Sequence, residues 1–143
     1  MRRAVASVLL SPLSFLAFDF GTRRVGVATG NSLTRTATPL TTIASQGEAR
    51  LAAIGALVAE WRPAALVVGV PFHPDGAAHV NTERARRFAR ELRARFGRTV
   101  HEVDERYTTT AAKSAGSADL DAAAAAIILE QHLGSVDADG SAR

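Results

Sequence analysis

The chain has 143 residues, of which 47% are hydrophobic, enough for one domain with a packed core. It contains no cysteine, which excludes disulfides, thiolate metal sites and cysteine nucleophiles, and no apolar run is long enough to cross a bilayer. The net charge is only +3, but seven of the arginines fall between Arg84 and Arg98. That cluster favours a polyanionic partner, although a solvated helix face would look the same.

The first residues resemble a secretory signal only superficially. Arg2 and Arg3 precede a short apolar run, but Pro12 interrupts the segment and no small-residue cleavage site follows it. We therefore expect a cytoplasmic protein with a loose N-terminal extension over residues 1–14. Residues 15–134 are expected to form the domain, and residues 135–143 a flexible tail.

Residues 15–30 read as strand, tight turn and strand, with Asp19 near the end of the first strand and Gly21 in the turn. A carboxylate in an otherwise buried strand is costly unless it is paired or binds a cation. The alternative is that Asp19 is a turn residue that caps its own backbone.

The next segment predicts an edge strand followed by a helix. The strand runs from Thr36 to Ile43, and Pro39 within it favours the edge of a sheet. Ser45 and Glu48 have capping-box spacing, and Pro63 ends the helix. Five residues repeat at helical spacing and predict its buried stripe: Leu51, Ile54, Leu57, Val58 and Trp61.

A continuous apolar run from Ala64 to Val70 predicts a buried parallel strand. The loop after it contains His73 and His79, which are candidate ligands or ordinary loop residues. A second amphipathic helix is expected over residues 80–96, with Gly97 as its C-terminal cap. Its arginines occupy the surface, and five residues form the predicted buried stripe: Ala85, Phe88, Ala89, Leu92 and Phe96.

Residues 99–103 predict another strand, and the last helix opens near Asp119 or Asp121 and ends at Gly134. His132 shares a stripe with Asp121 on that helix. The order of three strands, helix, strand, helix, strand and helix predicts an α/β sheet with a hairpin at its start and crossovers afterwards.

Acidic residues stand at comparable places in this sheet. Asp19 ends the first strand, Asp104 and Glu105 end the last, and Asp121 opens the final helix, where it also suits the helix dipole. Carboxylates brought together repel each other unless cations such as Mg²⁺ or Mn²⁺ bind, and a pair of such ions suits phosphodiester hydrolysis. If Val103 faces the final helix, Glu105 is the ligand and Asp104 points away.

Four segments in order resemble the YqgF (RuvX) family: Phe18 to Ala28, Val67 to Pro71 with Asp75 and Gly76, Asp104 to Thr109, and Asp121 to Leu129. The resemblance implies an RNase H-like fold. Its five-stranded mixed sheet has the order 3-2-1-4-5 with the second strand antiparallel, and helices flank it. It also implies a metal-dependent nuclease that processes the 5′ end of precursor 16S rRNA in ribosome biogenesis, or alternatively a Holliday junction resolvase.

The resemblance implies site residues as well. Asp19, Glu105 and Asp121 match the acids that would be catalytic and bind Mg²⁺ or Mn²⁺. The candidates for holding nucleic acid are Thr22, Arg23, Arg24, Arg106, Thr108 and Thr109. Two features depart from the family pattern: the segment from Thr110 to Asp121 is short and less basic, and the N-terminal extension is longer than the family needs. Relative to better-known RNase H-like nucleases, the Gly69–Pro71 strand end lacks an acid.

Two other functions stay open at the level of sequence. A weakly catalytic ribosome-assembly factor would keep the fold and cut poorly. An ATP-binding module of the actin and sugar-kinase superfamily shares the Asp19-x-Gly21-Thr22 pattern, but one domain lacks the second half that encloses a nucleotide. The expected partner is precursor rRNA or branched DNA, with no membrane, and the protein is expected to be a monomer or weak homodimer.

Overall fold

The structure, a computed structural model, describes residues 13–105 and 118–135. Five strands and three helices occupy these residues. In chain order they are β1 (Ser14–Phe20), β2 (Val25–Asn31), β3 (Ala37–Ile43), α1 (Gly47–Trp61), β4 (Ala65–Val70), α2 (Thr82–Phe96), β5 (Thr99–Asp104) and α3 (Ala118–Leu133). The element order is the one that the hydrophobic pattern predicts.

The strands form one sheet in the order β3-β2-β1-β4-β5, as the family resemblance implies. β2 pairs antiparallel with β1 and β3, whereas β4 lies parallel to both β1 and β5. All six residues of β4 are buried, which is typical of a parallel strand covered on both faces. β3 lies at the edge, as Pro39 predicted, and Pro39 pairs with Ala28 next to a shift in register.

The two faces of the sheet carry separate apolar clusters. Leu16 and Phe18 of β1 belong to the cluster that α1 and α2 cover, and Phe88 of α2 packs in the same cluster. Phe15 and Ala17 belong to the cluster that α3 covers. Because side chains alternate along a strand, Asp19 continues the row of Phe15 and Ala17 and faces the α3 side of the sheet.

Two local predictions for α1 are wrong. The N-cap is Gln46 and makes no side-chain capping hydrogen bond, so Ser45 and Glu48 do not form a capping box. Trp61 is 39% exposed rather than buried, because α1 ends at that residue and its buried stripe ends at Val58.

The other helices follow their predicted patterns with shifted ends. α2 begins at Thr82, whose hydroxyl donates a hydrogen bond to the Pro71 carbonyl and whose side chain is buried. Gly97 caps its C-terminus in the left-handed conformation, as predicted. None of the helices in the described ranges combines the length and the hydrophobicity that a membrane span requires.

The predicted domain limits stay predictions. The extension over residues 1–14 and the tail over residues 135–143 lie almost wholly outside the described residues, which include only Leu13, Ser14 and Ser135 of these two segments. β1 begins at Ser14, one residue before the expected start of the domain.

Candidate functional site

Asp19 is buried between two glycines at the end of β1. It is 3% exposed and pairs with Gly26 of β2 on one side and Gly69 of β4 on the other. Directly paired residues in a sheet place their side chains on the same face. Since glycine has no side chain, space is left on both sides of the Asp19 carboxylate.

Glu105 occupies the space on the Gly69 side. A Cβ atom added at Gly69 would lie 2.3 Å from Glu105 Oε2, so this carboxylate lies over Gly69, beside Asp19. The Glu105 side chain is 4% exposed, and its backbone N–H donates to the Val70 carbonyl at 3.1 Å. The site therefore gains a second buried carboxylate from the end of β5.

The structure distinguishes the two acids at the end of β5. Val103 is buried in the cluster beneath α3, and Glu105 shares that face through its position over Gly69. Asp104 points to the opposite face by strand alternation. Gln131 of α3 donates to the Asp104 carbonyl at 3.1 Å, which holds the end of β5 just before Glu105.

The first turn of α3 fills the space on the Gly26 side. A Cβ atom at Gly26 would lie 1.9 Å from the Asp121 backbone oxygen. The Asp121 side chain makes an ion pair with Arg24, with 2.7 Å between Oδ2 and the guanidinium Nε. This contact does not have the alignment of a hydrogen bond. Asp121 thus lies beside the Asp19 position, in a helical turn where the dipole also favours an acid.

A cleft of about 540 Å³ opens next to Asp121. Its lining residues come from the β1–β2 turn, the β3–α1 junction and α3: Gly21, Thr22, Arg23, Arg24, Ala44, Gln46 and Asp121. Thr22 and Arg23 are exposed. Three of the predicted nucleic-acid-binding residues therefore meet one predicted catalytic acid. Ala44 and Gln46 carried no signal in the sequence.

The remaining predicted nucleic-acid contacts, Arg106, Thr108 and Thr109, lie outside the described residues. The loop histidines lie within them. The rings of His73 and His79 are 4.9 Å apart, and His79 Nδ1 accepts a hydrogen bond from the Asn81 backbone N–H at 3.1 Å. His79 thereby has a structural role in the loop before α2.

The chemistry of the acids suits a hard divalent cation. Asp19 and Glu105 are both almost fully buried, and carboxylate oxygens are the ligands that Mg²⁺ and Mn²⁺ prefer. Across residues 13–105 and 118–135, however, no group of three or more histidines or acids is arranged to hold one ion. Asp121, the third predicted ligand, faces Arg24 in this structure.

Several arginines of α2 pair with acids. Arg90 pairs with Glu83 at 2.7 Å, and Arg95 pairs with Glu48 of α1. These contacts hold the pKa values of both glutamates below their ordinary range, through hydrogen bonds and charge attraction. The arginine-rich face of α2 is therefore less positive than its sequence suggests.

Arg50 was not among the residues predicted from the sequence. This residue is only 6% exposed, and burial lowers its pKa, an effect that the nearby charge of Glu91 opposes. Its guanidinium lies 5.6 Å from the centre of the Phe20 ring. The signal was present, because Arg50 lies four residues before Ile54 on the buried stripe of α1.

Comparisons with known proteins agree with this architecture. The RuvX family model, described as Holliday junction resolvase, matches residues 13–135. A protein of Polaromonas sp., named "Putative pre-16S rRNA nuclease", is 67% identical over 123 residues, which are 86% of this chain and 89% of that protein. A protein of the same name from Albidiferax ferrireducens is 63% identical and is covered over 79% of its length.

Among solved structures, Thermus thermophilus RuvC in complex with a Holliday junction substrate is similar, with a TM-score of 0.51. The match covers 85% of this chain and 93% of that one at 16% identity. At this identity the likeness shows a shared RNase H-like fold alone.

Proposed function

The chain belongs to the RuvX family, as its four sequence motifs indicated, and we propose that it is a divalent-metal-dependent enzyme that processes the 5′ end of precursor 16S rRNA. Family membership makes it a nuclease, a hydrolase of phosphodiester bonds. The metal dependence and the substrate are the proposal. The observation that supports this substrate is the similarity to the Polaromonas protein named "Putative pre-16S rRNA nuclease", which is 67% identical over 86% of this chain.

The two buried carboxylates are the proposed centre of the metal site. Asp19 and Glu105 would hold Mg²⁺ or Mn²⁺, and Asp121 would add a ligand from α3. A bound ion supplies Lewis-acid stabilisation of the negative charge on the phosphate that is being cleaved. The placement of both acids at one edge of the sheet supports this role, since carboxylate oxygens are the ligands that hard divalent cations prefer.

The cleft beside Asp121 is the proposed phosphate site. Arg23 and Arg24 place two guanidinium groups at its wall, and the exposed Thr22 adds a hydroxyl donor. Arginine suits phosphate because its fork of N–H donors matches the phosphate oxygens. Arg106, Thr108 and Thr109 are proposed to extend this contact surface, on the strength of the family resemblance.

Cleavage of branched DNA is the second candidate function, and the description of the family model as Holliday junction resolvase favours it. A junction resolvase would normally act as a symmetric dimer that cuts two strands. Our proposal of a monomer or weak homodimer in the cytoplasm fits the processing of a single RNA strand better.

The test is a cleavage assay with two labelled substrates, an RNA that carries the precursor 16S 5′ leader and a four-way DNA junction. Each is incubated with Mg²⁺, Mn²⁺ or EDTA, using wild type and an Asp19→Asn variant shown by circular dichroism to be folded. We expect metal-dependent RNA cleavage that the variant loses. Junction cleavage alone would favour the resolvase function, and equal cleavage by folded Asp19→Asn would contradict the proposed site.

If neither substrate is cut but RNA still binds in EDTA, the weakly catalytic assembly factor becomes the better explanation. Binding by such a factor would weaken with salt, because phosphate contacts release counterions. It would also survive the Asp19→Asn substitution, which leaves the cleft arginines in place.

A further inference from the structure

We infer that Arg50 is a positioning residue that fixes two walls of the cleft, the β1–β2 turn and the β3–α1 junction, and so orients Arg23 and Arg24 toward a phosphate backbone. The inference rests on the proposed function, since it assumes that the cleft binds RNA. It assigns a role to a residue that does not itself line the cleft.

The guanidinium of Arg50 joins two chain segments that are distant in sequence. Its Nε donates to the Ser45 carbonyl at 2.9 Å, and its Nη2 donates to the Thr22 carbonyl at 3.2 Å. Thr22 belongs to the β1–β2 turn, and Ser45 lies between Ala44 and Gln46 at the β3–α1 junction. Those two segments line the cleft together with α3, so one side chain behind the cleft ties two of its three walls together.

Burying the Arg50 guanidinium costs folding free energy unless its hydrogen bonds compensate for the lost hydration. Arg50 lies on the same buried stripe of α1 as Ile54 and Val58, where an apolar side chain would pack without taking a charge out of water. The planar fork of arginine can donate to two carbonyls in fixed directions, which an apolar residue cannot do and lysine does poorly. The geometry therefore favours a role in holding the turn over a role in filling the core.

The turn that Arg50 holds leads directly to the site. Arg24 lies two residues after Thr22 and pairs with Asp121 at 2.7 Å. Contacts thus connect Arg50 through the turn to the acid of α3. If the Thr22 carbonyl loses its hydrogen bond to Arg50, the turn that carries Arg23 and Arg24 becomes more mobile. RNA binding must then order this turn, and the entropic cost lowers the affinity.

The experiment compares Arg50→Met and Arg50→Lys with a matched control, Arg98→Met. Arg98 is also partly buried and also donates to two carbonyls, those of Pro63 at 2.9 Å and Phe96 at 3.2 Å. It makes these bonds away from the cleft residues. Arg98→Met therefore removes the same charge and the same number of hydrogen bonds without touching the cleft walls.

The first measurement needs no RNA. Hydrogen exchange of the backbone amides of residues 21–24 should rise in both Arg50 variants relative to that of β1 and β2, and stay at the wild-type level in Arg98→Met. Arg50→Lys retains the charge, so faster exchange in that variant attributes the effect to the fork geometry. Unchanged exchange in both Arg50 variants would overturn the inference, whatever the substrate of the enzyme is.

The second measurement is a mutant cycle on RNA affinity in EDTA, by fluorescence anisotropy with the 5′ leader RNA. We expect Arg50→Met to weaken binding about tenfold, and to have little further effect when Arg23 and Arg24 are both glutamine, because Arg50 acts through them. Additive losses, or an equal loss in Arg98→Met, would overturn the positioning role. If wild type binds no RNA at all while the exchange result holds, the proposed function fails and the structural role of Arg50 stands.

Discussion

The carboxylate of Glu105 takes the space that a side chain at Gly69 would need, since a Cβ there would lie 2.3 Å from Oε2. Gly69 is the β4 residue that pairs with Asp19, so the absence of a side chain lets an acid from β5 reach the acid of β1. A glycine at this register position thus explains how the site obtains a second carboxylate although the end of β4 carries none.

Replacing Gly69 with alanine should affect cleavage more than stability. The added methyl group meets the ends of two flexible side chains, Glu105 and Ile128, which can move. We expect the free energy of unfolding to fall by about 1–2 kcal/mol, a mild overpacking effect. Cleavage should fall by at least about tenfold because the Glu105 carboxylate is displaced. Urea unfolding and initial cleavage rates measure the two effects.

Gly26→Ala is the matched comparison on the other side of Asp19. Its methyl group would lie 1.9 Å from the Asp121 backbone oxygen, which cannot move without shifting α3. We expect a loss of about 3 kcal/mol or more in unfolding free energy, at the upper end for overpacking. If Gly69→Ala proved the more destabilising of the two, the close approach of α3 to β2 would be wrong.

Much of the fold could be predicted from the sequence, and the reasons are local. The apolar runs of β1 and β4 and the repeating stripe of α2 follow from the periodicity of single elements, and an acid inside the apolar β1 strand is visible by inspection. The sheet order, by contrast, came from the family resemblance, because strand neighbours depend on contacts between distant segments.

The site was only partly predictable for the same reason. Gly26 and Gly69 look like ordinary strand glycines until the register pairs both with Asp19. Arg50 has carbonyl partners in two loops that periodicity does not connect, so its hydrogen bonds were not foreseeable. The Arg24 contact to Asp121 likewise depends on how α3 docks on β2.

Neutralising Arg24 should strengthen metal binding while it weakens RNA binding. Arg24 competes with a cation for the Asp121 carboxylate, and the pair is partly exposed, with side-chain exposures of 37% and 15%. An ion pair of this kind stabilises by less than about 1 kcal/mol, so Arg24→Gln should bind Mn²⁺ about two- to fivefold more tightly. Isothermal titration calorimetry without RNA measures this directly.

The neighbouring Arg23 provides the control for that prediction. Arg23→Gln removes the same charge from the same turn, but the ion pair with Asp121 is made by Arg24. Equal Mn²⁺ affinities in the two variants would mean that the effect is general electrostatics, and weaker binding in Arg24→Gln would contradict the competition.

RNA affinity should depend on the arginines of the cleft rather than on those of α2. Arg90 and Arg95 each pair with a glutamate, so Arg90→Gln/Arg95→Gln should cost less than about threefold in affinity, as expected for balanced surface charges. Arg23→Gln/Arg24→Gln removes the same charge and should reduce the salt slope of binding by about one for the exposed Arg23, and by about two where RNA also draws Arg24 away from Asp121. Equal slopes in the two double variants would place the RNA on α2 instead.

Stability below neutral pH should depend on His132. Burial, with a smaller contribution from the charge of His101, lowers the pKa of His132 to about 4, and its ring stacks on His101 with 4.5 Å between centroids. Because the folded-state pKa lies below the unfolded value of about 6.5, folding favours the neutral ring. The resulting stability is complete above about pH 6.5 and is lost as the pH falls toward 4.

His132→Phe isolates this contribution because phenylalanine keeps a ring beside Phe15 and His101 but cannot take a proton. The unfolding free energies of wild type and variant are measured in urea at pH 7.5 and pH 4.5. Between these pH values wild type should lose roughly 2 kcal/mol more unfolding free energy than the variant, from the linkage between pKa and stability. Titrating groups that do not contact residue 132 affect both proteins alike and cancel in this difference, whereas His101, which stacks on the ring, contributes to it. Parallel pH profiles would mean that His132 is already accessible to protons in the folded state, against its 8% exposure.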